Sequence, residues 1–103
     1  MNTHWYRRIE HNGIYEEEEG YLDDFQKLLG NGAAQVEMST TFGLDFATVK
    51  VIASVRITCD QSADIIDKAG KLAFFKSMEF ARDGLTHAIP AKDQILKDIY
   101  GGG

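Results

Sequence analysis

From Phe46 to Cys59 the chain alternates between apolar and polar residues. The odd positions are Ala47, Val49, Val51, Ala53, Val55, Ile57 and Cys59, and the even positions are mostly polar, with Thr48, Lys50, Ser54, Arg56 and Thr58 among them. A period of two belongs to a strand with one buried face and one wet face. The preceding segment alternates as well: Ala34, Val36, Met38, Thr40 and Phe42 stand against Gln35, Glu37, Ser39 and Thr41. Gly43-Leu44 between the two runs suits a two-residue type II′ turn. Closing the hairpin there sets Met38 opposite Val49, Val36 opposite Val51 and Ala34 opposite Ala53, with Glu37 facing Lys50 on the wet side. In this register the strands are unequal, 34–42 against 45–59, and the Val55–Cys59 end needs another partner.

Asn12-Gly13 is the preferred pair for a type I′ turn. It predicts a second hairpin over residues 4–19, in which Arg8 faces Glu17 and Arg7 faces Glu18. Four successive glutamates, Glu16 to Glu19, are poor strand formers. Residues 1–20 therefore read either as this hairpin or as a mobile acidic arm.

Leu22, Phe25, Leu28 and Leu29 recur at helical spacing before Gly30-Asn31-Gly32, which predicts a short helix over 21–29 with Asp23 and Asp24 in its first turn. Ser62 is a suitable N-cap for a long helix over 63–87. Pro90 then breaks it and starts a short terminal helix over 91–100, and Gly101 to Gly103 form a fraying tail. The fold class is α+β, an antiparallel sheet centred on the long hairpin and packed against the long helix. Residues 21–100 form a single domain, with nothing in the sequence that divides them.

The long helix carries more apolar surface than one sheet face covers. One line is Ile66, Ala69, Ala73 and Phe80, with Ile65 and Leu72 beside it; the other is Phe74, Met78, Ala81 and Leu85. Gly70, Ser77 and Gly84 fall among them and permit close backbone approach. Phe74, Phe75, Met78 and Leu85 are the surplus that must meet another element or another chain.

Composition changes this picture little. An apolar content of 44% with 26% charged residues over 103 positions is ordinary for one globular domain. The net charge of −5 comes largely from the Glu16–Glu19 run, and it argues against unspecific binding to nucleic acid or anionic membranes. No apolar run reaches the roughly 20 residues of a membrane span. Met1 to Arg8 lack the apolar segment of a secretory leader. With one cysteine, these features lead us to expect a cytoplasmic protein.

Candidate chemistry is sparse. His4, His11 and His87 have no metal-ligand spacing with one another or with Cys59, so neither a metal nor a cofactor is expected. His87 suits a helix C-terminus through the dipole. Cys59 reads as a buried structural thiol, although the helix beginning near Ser62 would favour its thiolate. The glycines form no phosphate-binding loop. Trp5, Arg7, Arg8, Lys50 and Arg56 combine aromatic and basic groups as single-stranded nucleic-acid surfaces do. The leading expectation is a non-enzymatic interaction or assembly module, homo-oligomeric or bound to another protein, of the small accessory or inhibitory kind that viruses also encode. The alternative is a single-stranded nucleic-acid accessory protein.

Overall fold

Asn12 and Gly13 both take positive φ, 52° and 80°, the pair of left-handed residues that a type I′ turn requires. In the computed structural model this turn joins β1 (Thr3–His11) to β2 (Ile14–Leu22). The register places Arg7 opposite Glu18 and Arg8 opposite Glu17, as the sequence predicts. Residues 2–22, 25–30, 32–44 and 48–100 are described, with the side chains of all but Gln26, Leu44 and residues 87–100. The expectations placed on Asp23, Asp24, Asn31, residues 45–47, the His87 side chain and Gly101 to Gly103 lie outside the described residues.

The second hairpin pairs β3 (Ala34–Leu44) with β4 (Val49–Cys59). Its register differs from the predicted one. Leu44 faces Val49, Val36 faces Ile57, Glu37 faces Arg56 and Ala34 faces Cys59. The hairpin therefore closes beyond Gly43-Leu44, not on them, and Thr48 at φ 52° leads back into β4. The slide is an even number of residues, so every side chain keeps its face. What it gains is ladder: both strands pair along their full length, and the Val55–Cys59 end is not left over.

The four strands form one antiparallel sheet in the order β2-β1-β4-β3. β1 lies along β4 with Trp5 opposite Val55 and Ile9 opposite Val51. The start of the chain is tied to the same ladder, because Thr58 N–H donates to the Asn2 carbonyl at 2.8 Å.

The short helix is only α1 (Gln26–Leu29), since Tyr21 and Leu22 continue β2. Pairing to β1 outcompetes the weak local helical pattern at these two residues. The Leu29 carbonyl then accepts from Asp60 N–H at 2.9 Å, and Gly30 turns the chain away at φ 74°. After β4, Ser62 caps the long helix as expected, its Oγ accepting from Ile65 N–H at 3.2 Å. That helix, α2, runs unbroken from Ala63 to Tyr100, so the predicted stop at 87 and separate helix at 91–100 are one element. Proline in a helix removes one hydrogen bond and crowds the preceding turn, about 3 kcal/mol. The Ala, Lys, Gln, Leu and Ile residues that follow sustain helical propagation across that loss.

α2 covers one face of the sheet. Val49, Val51, Ala53, Val55, Ile57 and Cys59 are all buried there, the apolar set that the alternation marked. The helix meets them with small residues: Ala69, Ala73, Ser77, Ala81 and Gly84 are its buried line. A Cβ on Gly84 would stand 2.7 Å from Val51 Cγ1 and 3.1 Å from Arg7 Cδ, so the helix backbone rides directly on the sheet. Ser77 is pinned by two hydrogen bonds. Its hydroxyl donates to the Phe74 carbonyl at 2.8 Å and therefore accepts from Thr40 Oγ1 at 2.6 Å. Phe80, beside that line, stacks on Trp5 with centroids 4.5 Å apart and planes inclined by 12°.

Candidate interaction surface

Because small residues seat the helix, its bulky residues fall to the flanks. Those toward β1 and α1 find partners: Ile65, Leu72 and Phe80 pack on the core cluster around Val55 and Ile57. Those on the β3 side stay more exposed. Ile66 remains 39% exposed, Phe74 41%, Phe75 65% and Met78 37%, and the rings of Phe74 and Phe75 meet edge to face at 6.2 Å. Between this flank and β3 lies an open groove of about 540 Å³, walled by Val36 and Met38 on one side and by Ile66, Gly70, Phe74 and Phe75 on the other. Asp67 and Lys71, an ion pair at 3.1 Å, stand on its rim. Leu85, expected with this group, turns instead to the core cluster of Val49, Val51 and Ala81. Helix α2 has crossed the sheet by that point.

The residues grouped as a nucleic-acid surface are divided between the two sheet faces. Trp5 and Arg7 point toward α2. Trp5 is spent on Phe80, while Arg7 donates to the Phe80 carbonyl at 3.3 Å and pairs with Glu18. Arg8, Lys50 and Arg56 lie on the uncovered face, and each has an acid beside it. Arg8 binds Glu10 at 2.9 Å and covers the Tyr15 ring at 4.1 Å, Lys50 stands opposite Glu10, and Arg56 stands opposite Glu37. Tyr6 on that face donates to Glu17 at 2.9 Å. Desolvation and this carboxylate neighbour raise the Tyr6 phenol above its ordinary value. Among the described residues, interleaved charge of both signs gives no continuous basic track on this face.

No family model, curated protein or solved structure matches this chain. Function is therefore read from the surface itself. Among the described residues, no three His, Cys, Asp or Glu side chains gather as a metal site would require. No helix there is long and apolar enough to cross a membrane.

Cys59 is buried at the end of β4. Burial raises its thiol above the ordinary value and Asp60 adds to the shift, so the start of α2 does not activate it. The native thiol should react with a disulfide reagent at pH 8 on the order of a hundredfold more slowly than in the urea-unfolded chain. Equal rates would mean the thiol is accessible. The linkage has one sign. The unfolded thiol ionises first, near pH 8.5 by its reference value, so this group lowers stability as pH rises above about 8.5 and has no effect well below it.

The exposed flank of α2 was legible as a surplus of apolar residues. The missing signal was which of them the crossing angle of the helix would take inward, which decides Leu85. The Val36–Met38 wall was hidden by the register, because the predicted pairing set these residues beside Val51 and Val49.

Proposed function

We propose that this protein is a non-enzymatic interaction module that assembles with itself through the β3-side flank of α2, with Phe74, Phe75 and Met78 as the contact and Ile66 beside them. The observation that carries this reading is the exposure of these four side chains on one flank, where Ile66, Phe74 and Phe75 line an apolar groove. Clustered aromatic and methionine side chains are typical of interface cores and are uncommon as free surface. Leu85 belongs to the fold and not to the contact. A cytoplasmic setting fits a lone buried thiol, and the role fits a small accessory or inhibitory protein.

Light scattering at tens of micromolar should give about twice the 11.5 kDa chain mass. Phe75→Glu or Met78→Glu should weaken assembly at least about tenfold, or 1.4 kcal/mol, with an unchanged circular-dichroism spectrum because both side chains are exposed. A wild-type protein that stays monomeric throughout that range would overturn the proposal. The single-stranded nucleic-acid reading has less support, since Trp5 is stacked inside and the three outward bases have acidic neighbours. It would require a gel shift at low salt that fades steeply as salt is added.

A further inference from the structure

The two edges of the sheet are β2 and β3, and they are built differently. β2 presents Glu16, Glu17, Glu18 and Glu19 in succession, a run that any strand laid beside it must accommodate. Charge is a common means of blunting an edge. β3 has eleven residues, contains no proline, and carries one charge, Glu37, which stands opposite Arg56 of its own sheet. About half the backbone N–H and C=O groups of an edge strand face outward without a strand partner. Val36 and Met38 belong to this edge and also wall the apolar groove under α2, so whatever occupies one lies against the other.

We infer that β3 pairs antiparallel with β3 of a second copy, joining two four-stranded sheets into one of eight strands with the two α2 flanks meeting above the join. This rests on the reading of the flank as an assembly surface and adds the strand edge to it. Area favours the addition. Taking about 200 Å² for a large side chain, the four exposed residues leave on the order of 350 Å² per copy, or about 700 Å² in a pair. That is below the roughly 1,200 Å² where stable interfaces begin. The flank alone is too small, whereas flank and strand together approach the ~20 residues a side of a standard interface.

The strand also suits a copy of itself. A two-fold axis near Ser39 sets Glu37 against Thr41 and Val36 against Phe42, so no like charges face each other. Because β2 is blunted, β3 has no second edge to join, and the assembly closes at two instead of growing into a filament.

Three single-cysteine variants test the pairing: Glu37→Cys, Ser39→Cys and Thr41→Cys, with Glu17→Cys on β2 as control. Native Cys59 is buried and does not compete. Under mild oxidation at least one β3 variant should form a covalent dimer tenfold or more faster than the control, and alternate β3 amides should exchange at least tenfold more slowly in the dimer than after dilution to monomer. Ser39→Lys should weaken the dimer at least tenfold while leaving the fold intact. A dimer that Phe75→Glu disrupts, but with freely exchanging β3 amides and no cross-link, overturns the strand pairing and keeps the flank. Cross-linking between mixed Glu17→Cys and Ser39→Cys chains overturns it in favour of open-ended β2–β3 addition. A monomer whose β3 amides become protected only when a different protein is added overturns both self-assembly claims.

Discussion

Ile57→Ala is expected to lower the unfolding free energy by about 3 kcal/mol, within the 2–5 kcal/mol range for large-to-small changes in a core. Ile57 is fully buried in β4, between Thr3 of β1 and Val36 of β3, in one cluster with Leu29, Ala69 and Ala73. Its neighbours are held by strand pairing on both sides, so the cavity cannot collapse easily. For a domain of this size the loss should lower the midpoint of thermal unfolding by roughly 15 °C. Ile52→Ala supplies the contrast. It removes the same atoms from the same strand, but on the uncovered face, and should cost about 1 kcal/mol or less. Urea melts of both variants, at one fixed chain concentration, decide the matter. Equal losses would mean that the two faces of β4 are not distinguished as described.

The second large effect concerns Gly84. A valine there would drive its side chain into Val51 and Arg7, where even a Cβ is too close. Val51 is β-branched and held in the centre of the sheet, so α2 itself has to lift. We expect a loss of about 3 kcal/mol, the upper part of the range for overpacking. Gly70 is the opposite case on the same helix. Its Cβ would sit an ordinary 3.8 Å from Val36 Cγ1, so Gly70→Ala should raise stability by roughly 0.5–1 kcal/mol through helix propensity. If Gly84→Val proved neutral in denaturant melts, the close seating of the helix would be refuted.

These contrasts show which parts of the fold a sequence encodes locally. Which residues of β4 are buried was legible because strand periodicity needs no knowledge of neighbours. The β1–β2 hairpin was legible because Asn12-Gly13 fixes the turn and the Arg–Glu pairs agree with it. The register of β3 against β4 was not. Any even slide keeps the same faces, so burial cannot choose among them, and the choice falls to the number of backbone hydrogen bonds made along the whole sheet. Pro90 illustrates the same limit. A local breaker costs a known amount, but whether a helix stops there depends on the residues beyond it. The flank formed by Phe74, Phe75 and Met78 was foreseen, whereas Leu85 depended on where α2 crosses the strands, which no periodicity reports.

The strand order β2-β1-β4-β3 also bears on how the chain reaches this state. Each hairpin closes over a short loop, so β1–β2 and β3–β4 can zip within microseconds of each other. The central β1–β4 ladder joins the start of the chain to residues past its middle, across the whole of β2, α1 and β3. Closing that span costs about 2 kcal/mol more chain entropy than either turn, since the cost grows with the logarithm of loop length. The rate-limiting event is then the docking of two preformed hairpins beneath α2, and folding should be slow for a chain of this length with so much local pairing.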